Sequence, residues 1–191
     1  MPAKVGAGCS ADFGFADFRL RVRACYHSSA TTHARTRKVR DTSPPMSIKK
    51  NILVLCTGNS CRSQLLHGYL EQLLGERANV YSAGVEVHGL NPRAVQTMAA
   101  DGVDISHHTS NLVDEYAAVP FDYVITVCDH ANEACPVFPS TAKKLHHNFP
   151  DPAKATGSEA EIMAQFQAVR EQIKAYAQEF TQAEFASVLA Q

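Results

Sequence analysis

The chain has 191 residues, of which 45% are hydrophobic, enough for one domain with a full core and short of what two domains usually need. No apolar run approaches the roughly 18 to 20 residues of a membrane span. The net charge of −1 is unevenly divided, because residues 1–45 hold eight Lys and Arg against three Asp, whereas residues 46–191 hold ten basic against sixteen acidic side chains. An acidic domain lacks the basic face that phosphate backbones need, so we expect neither nucleic acid nor membrane as a partner.

The first 45 residues show no sustained helical or strand period and end in Asp-Thr-Ser-Pro-Pro. We expect them to lie outside the fold, either as a disordered extension or as a mis-assigned upstream start, with Met46 as the natural one. Their arginine content leaves a targeting presequence as the alternative. Residues 46–191 are the predicted domain. The six cysteines are not densely spaced and no secretory signal is recognisable, so we expect a cytoplasmic protein.

The first predicted strand ends at a cysteine and is followed by a tight loop and a helix. The apolar run from Ile52 to Leu55 is typical of a strand buried on both faces of a parallel sheet, and it stops at Cys56. Five small, turn-compatible residues follow, and Arg62 then opens a helical pattern. The apolar positions of this helix are Leu65, Leu66, Tyr69, Leu70 and Leu73.

This strand, loop and helix start predict an anion site. A loop of small residues can turn its N–H groups inward, and the helix start adds free donors and positive potential. Arg62 can return over the loop and hold two oxygens with its planar fork, while the same field favours a thiolate at Cys56 and Ser63 can donate to its sulfur. A buried cysteine beside a surface arginine is the alternative interpretation. The predicted oxyanion-binding residues are Thr57, Gly58, Asn59, Ser60, Cys61 and Arg62.

Strands and helices alternate along the rest of the domain. Further strands are predicted at residues 79–85, 121–127 and 143–149, and a helix starts at Asn91-Pro92. A short helical pattern covers 112–117, a loop covers 129–139, and a capping box of Ser158 with Glu161 opens the final helix. The apolar stripe of that helix is Ile162, Phe166, Val169, Ile173, Tyr176 and Phe180. The alternation predicts an α/β fold, with a small parallel four-stranded sheet flanked by helices on both faces.

A second cysteine pair follows the third strand. Ligands of parallel sheets sit outside the carboxyl ends of strands, so Cys128 is predicted on the same rim as Cys56. Cys135 comes after six intervening residues in a polar loop, where two thiols can join as a disulfide or separate. A buried structural pair is one alternative. Zinc with His130 and Glu133 is another, but structural zinc ligands usually come as closer cysteine pairs.

Asp151, held between two prolines, is the candidate general acid. A turn aspartate without chemistry is the alternative. The sequence predicts no metal ligand set and no resident cofactor.

Residues 48 to about 180 resemble the thioredoxin-coupled arsenate reductases, which share the fold of the low-molecular-weight tyrosine phosphatases. The segments that carry the resemblance are C-T-G-N-S-C-R-S-Q at 56–64, Y-S-A-G at 81–84, H-G-L-N-P at 88–92, D-I-S-H-H-T-S at 104–110, V-C-D-H-A-N-E-A-C-P at 127–136 and F-P-D-P-A at 149–153. The phosphatases typically have proline where Gln64 stands and tyrosine where Ala153 stands, and they lack the second cysteine pair.

The resemblance implies reduction of arsenate to arsenite by a cysteine relay. Arsenate is held by the loop and Arg62, Cys56 attacks arsenic, and Asp151 protonates the departing oxygen. Cys128 then attacks Cys56, arsenite leaves, and Cys135 attacks Cys128 to leave a disulfide that thioredoxin, the external reductant, removes. We expect a monomer. A tyrosine phosphatase of the same fold and an oxyanion-binding regulatory module are the two alternative functions.

Some reductases of this family bind potassium beside the loop. This chain resembles them at Asn59 and Ser82 but carries His67 and Asn111 where they carry acids. Losing two carboxylates removes most of the attraction for a hard cation, so we expect no potassium activation.

Overall fold

The computed structural model describes residues 49–134 and 141–186. The segment 1–45 and Cys135 lie outside these residues. The strands are β1 (Lys50–Cys56), β2 (Ala78–Gly84), β3 (Tyr123–Thr126) and β4 (Lys143–His146). The helices are α1 (Arg62–Leu74), α2 (Pro92–Ala99), α3 (Asp129–Ala134) and α4 (Glu159–Phe185), with 3₁₀ turns at Gly75–Arg77, Val113–Tyr116 and Pro152–Lys154.

The four strands form one parallel sheet in the order β2-β1-β3-β4. In register, Cys56 at the end of β1 is level with Gly84 of β2, and Leu55 is level with Thr126 of β3. The predicted parallel four-stranded α/β fold is confirmed. Because all strands run the same way, the chain leaves β1 and β3 at one edge of the sheet.

Alternate side chains of β1 enter two hydrophobic clusters, one on each face of the sheet. Ile52 and Val54 pack in the larger cluster with apolar residues of α1, α2 and α4. Leu53 and Leu55 pack in the smaller one with side chains of the 3₁₀ turn Val113–Tyr116. This period of two, with both sides covered, is why the strand has a continuous apolar sequence.

Helix ends follow the predicted signals. Asn91 accepts a hydrogen bond from Arg93 N ahead of α2, and Ser158 and Glu161 form the capping box of α4. The stripe of α4 faces the core, with Phe166, Val169, Ile173 and Phe180 buried and Ile162 and Tyr176 packed at its edge. No helix in the described ranges is long and apolar enough to cross a membrane.

The structure corrects the prediction in the middle of the chain. Residues 129–134, predicted as part of a loop, form α3. The sequence D-H-A-N-E-A has no apolar stripe to indicate a helix, and Ala131 packs in the core. β3 and β4 are shorter than predicted, ending at Thr126 and His146, and the helical pattern at 112–117 is a 3₁₀ turn.

Candidate active site

The loop after β1 forms one wall of a cavity of about 680 Å³. The cavity lies at the edge of the sheet where β1 and β3 end. Its lining includes Cys56, Thr57, Gly58, Ser60, Cys61, Arg62, His88, Cys128, His130, Asn148, Phe149 and Asp151. Cys61, at the N-cap of the 13-residue helix α1, gives no side-chain cap, so the N–H groups of the first turn remain available to an anion.

Cys56 is buried and its sulfur has two hydrogen-bond partners. Asn59 N–H donates to Sγ at 3.2 Å, and Ser63 Oγ lies 3.1 Å from the same atom. Ser63 Oγ in turn accepts from Asn59 Nδ2 at 3.1 Å, which directs its own proton towards the sulfur. Hydrogen bonds donated to sulfur favour the anionic form, so this arrangement suits a nucleophilic thiolate.

The loop carbonyls are tied to the chain that follows β2. Glu86 N donates to Thr57 O at 2.9 Å, His88 N to Gly58 O at 3.0 Å, and Asn91 N to Ser60 O at 3.0 Å. In a trans peptide the C=O and the N–H point in opposite directions. Because these carbonyls face the chain after β2, the N–H groups of the residues that follow them face away from that chain. The predicted inward N–H groups follow from this pairing.

Two glycines permit this close approach. A Cβ added at Gly58 would lie 2.3 Å from His88 Nδ1, and one added at Gly84 would lie 2.6 Å from Thr57 O. Gly84 is also crowded by backbone atoms, which cannot move away as a side chain can. Any larger residue at Gly84 therefore displaces the loop.

Gln64 holds the shape of the loop from behind. Its Nε2 donates to Asn59 O at 3.0 Å, to Asn59 Oδ1 at 3.1 Å and to Thr109 O at 2.9 Å. Asn59 Oδ1 also accepts from Asn111 N at 2.9 Å. Asn59 has φ 44°, a left-handed conformation that an asparagine adopts when its surroundings fix it. The side chain of Asn59 is buried in this network. The contact between Asn59 and the oxyanion stays a prediction.

Arg62 and Asp151 meet on the opposite wall. Arg62 Nη2 donates to Asp151 Oδ2 at 3.0 Å, and Nη1 donates to Phe149 O at 3.1 Å. Asp151 Oδ1 accepts from Ala153 N at 3.1 Å, which fixes the carboxyl group at the cavity edge. The guanidinium therefore faces Asp151 here, and turning over the loop to hold an anion requires it to exchange this partner.

Cys128 is the second thiol of the cavity. It is buried, follows β3, and its Sγ lies 3.3 Å from Thr57 Oγ1. Thr57 Oγ1 is also 3.5 Å from His130 Nδ1. The structure thus brings Cys56 and Cys128 to one cavity, as the position of both cysteines at strand ends indicates.

Cys61 is a third buried thiol at this site. Burial raises its pKa far above the ordinary value, with the nearby Asp151 carboxylate contributing in the same direction. Cys61 therefore remains a neutral thiol and does not compete with Cys56 as a nucleophile.

Several residues that shape this site were not predicted as site residues. Gln64 lies at a fully buried position of α1, and a polar residue among the leucines of that helix is the signal that marks it. His88, His130 and Asn148 line the cavity without any periodic pattern that would predict it.

A buried thiol at the start of this loop, with an arginine and a carboxyl group across the same cavity, is the arrangement expected of an enzyme that uses cysteine as a nucleophile. The sequence profile of the low molecular weight phosphotyrosine protein phosphatases matches residues 51–188. The chain belongs to this family.

Proteins similar in sequence to this chain include arsenate reductases. One from Bacillus licheniformis is 51% identical over 125 residues, which are 65% of this chain and 90% of that protein. One from Bacillus subtilis is 47% identical over 133 residues, which are 70% of this chain and 96% of that protein.

Solved structures with a similar fold include an arsenate reductase and a tyrosine phosphatase. An arsenate reductase in the phosphate binding state has a TM-score of 0.60 at 27% identity and covers 69% of this chain and 95% of its own. The Erwinia amylovora tyrosine phosphatase AmsI has a TM-score of 0.60 at 23% identity, covering 71% and 93%, which shows the shared fold.

Proposed function

We propose that residues 46–191 form a cytoplasmic arsenate reductase that acts as a monomer with thioredoxin as its reductant. The observation that carries this proposal is the second thiol, Cys128, in the cavity of Cys56. Hydrolysis of a phosphate ester uses one thiol, whereas reduction of arsenate needs two electrons, which two thiols supply when they join as a disulfide. Relatives about half identical to this chain and named arsenate reductases support the same substrate.

The first step joins sulfur to arsenic. Arsenate enters among the loop N–H groups, and Arg62 leaves Asp151 to hold its oxygens. The Cys56 thiolate attacks arsenic, and one oxygen departs as water with a proton from Asp151.

The second step reduces arsenic. The Cys128 thiolate attacks Cys56 Sγ, a disulfide forms, and the electron pair of the sulfur–arsenic bond stays on arsenic. Arsenic passes from the +5 to the +3 state and leaves as arsenite. Cys135 then attacks Cys128, Cys56 is released as a thiolate, and the Cys128–Cys135 disulfide is reduced by the dithiol of thioredoxin.

A tyrosine phosphatase is the second candidate, because the family match and the pairing of Arg62 with Asp151 suit it equally well. The cavity wall after Pro152 disfavours a tyrosine phosphatase. Ala153 lines the cavity where the phosphatases resembled by this sequence carry a tyrosine, so a phosphotyrosine ring would lack an aromatic face to stack on.

The relay is tested by counting arsenite per enzyme with thioredoxin, thioredoxin reductase and NADPH present. Wild type is expected to turn over many times, whereas Cys135→Ser forms about one equivalent and stops with Cys56 joined to Cys128. Cys25→Ser, which changes a cysteine without a proposed role, serves as the matched control. Sustained turnover by Cys135→Ser would contradict the relay, and failure of wild type to form arsenite would contradict the proposed function.

A further inference from the structure

A second cavity, of about 200 Å³, lies beside α1 on the other side of Gln64 from the loop. Three potential metal ligands meet there: His67, Glu71 and His108. His67 and Glu71 are four residues apart on α1, which puts them on one face of the helix, and His108 comes from the connection after α2. One ligand atom from each of the three lies within 4.8 Å of the others.

The two imidazole nitrogens face the two oxygens of one carboxylate. His67 Nε2 is 3.3 Å from Glu71 Oε1, and His108 Nε2 is 3.2 Å from Glu71 Oε2. Ligands about 2.0–2.1 Å from a tetrahedral zinc ion lie roughly 3.3 Å apart, so each nitrogen stands at a ligand-to-ligand distance from one carboxylate oxygen. The two imidazole rings stack with their centroids 4.3 Å apart, so both nitrogens reach the same carboxylate from one side.

The hydrogen bonds around His108 fix its tautomer. Gln64 Nε2 donates to three carbonyl oxygens, which orients the amide and leaves Oε1 facing His108 Nδ1 at 3.0 Å. Because an amide oxygen only accepts, His108 Nδ1 must carry a proton. Nε2 is then the nitrogen that faces Glu71, the arrangement of a metal-binding histidine oriented by an outer partner.

His67 has the same arrangement. Its Nδ1 lies 3.0 Å from Ser82 Oγ, which can accept the ring proton. Its Nε2 is buried and makes no hydrogen bond to any described residue, although Glu71 lies within ion-pair distance. A buried imidazole nitrogen without a hydrogen bond is uncommon and calls for an occupant.

Two imidazole nitrogens that face one carboxylate can be joined to it by ring protons or by a shared cation. We propose that His67, Glu71 and His108 bind a divalent transition-metal ion of the zinc type. Two imidazoles and a carboxylate suit this class of ion, and the open side of the cavity leaves the fourth position for water.

Binding of such an ion would affect the active site through two side chains. It would fix His108, whose Nδ1 is held by Gln64, and Gln64 holds Asn59 at the turn of the oxyanion loop. Metal binding is therefore expected to slow amide exchange of the loop at residues 57–61.

Equilibrium dialysis of the reduced, chelator-treated protein against Zn²⁺ tests the proposal. Because the thiols of Cys56 and Cys128 also bind zinc, the readout is the difference between proteins that share those thiols. Wild type is expected to bind one equivalent more than His67→Gln or Glu71→Gln. His146→Gln, which removes a histidine that contacts Asp129 away from the cluster, is expected to match wild type.

A second measurement needs no variant. In wild type, Zn²⁺ should shift the Nε2 resonances of two histidine rings in side-chain ¹⁵N spectra. Equal zinc binding by all four proteins with unshifted imidazoles would overturn the proposal and leave protons as the charge in this cluster.

Discussion

Gln64→Leu tests whether the buried amide of Gln64 holds the oxyanion loop. Leucine has a similar size and a good helical propensity, so the exchange removes the hydrogen bonds of Gln64 and little packing. Asn59 Oδ1 keeps its bond from Asn111 N, but the carbonyls of Asn59 and Thr109 lose the donor that the structure gives them.

The two carbonyls differ in exposure. Asn59 is fully buried, so its orphaned carbonyl costs about 1–3 kcal/mol. Thr109 is exposed and water can replace the lost donor, so we add at most about 1 kcal/mol for it. The two carbonyls together should lower the free energy of unfolding by about 1–4 kcal/mol, and loss of the acceptor of His108 Nδ1 adds to this. Phosphate affinity should fall about tenfold, because Asn59 no longer holds the turn that directs the loop N–H groups.

Urea unfolding and phosphate titration measure the two effects. Gln72→Leu makes the same exchange at an exposed position of the same helix and should change stability by less than about 0.5 kcal/mol. If Gln64→Leu matches Gln72→Leu in stability and in phosphate affinity, the argument for the buried amide is wrong.

Three further results are expected. Asp151→Asn should lower turnover about 10²- to 10⁴-fold in steady-state kinetics without weakening phosphate binding, since Arg62 no longer has to leave a carboxylate, and an equal rate would exclude Asp151 as the acid. Hydrogen bonds from Lys174 and then Tyr69 hold the pKa of Asp101 below its ordinary value. The charged carboxylate therefore stabilises the fold above the unfolded pKa of about 3.9, and this stabilisation is lost as the pH falls from there through the lower folded pKa. In urea unfolding, wild type should have a larger free energy of unfolding than Asp101→Asn at pH 7, and the two values should become equal in acid. Potassium should raise neither rate nor melting temperature above sodium at equal ionic strength, and a clear rise would show that His67 and Asn111 do not prevent its binding.

The sheet and the loop after Cys56 could be predicted because their signals are local. The apolar run before Cys56, the small residues after it and the stripe of α4 each arise within a few residues, and the strand–helix alternation then limits the topology. The meeting of Cys56 with Cys128 also follows, since parallel strands end at one edge.

The other features of the site depend on contacts between residues that are distant in the sequence. Gln64 meets Thr109 across 45 positions and Arg62 meets Asp151 across 89, and no spacing rule gives either pair. α3 carries no apolar period, so its polar sequence was interpreted as a loop. His67 and Glu71 were visible as an i, i+4 pair on α1, but only folding brings His108 to them.

The central claim is that Cys128 turns a phosphatase-like site into a reductase. Its most direct measurement is the NADPH oxidation that arsenate induces with thioredoxin and thioredoxin reductase, for wild type and Cys128→Ser, beside hydrolysis of an aryl phosphate by both. The account predicts that wild type oxidises NADPH and that Cys128→Ser does not, while any hydrolysis of the ester is similar in both. NADPH oxidation by Cys128→Ser at the wild-type rate, or ester hydrolysis without arsenate reduction in wild type, would contradict it.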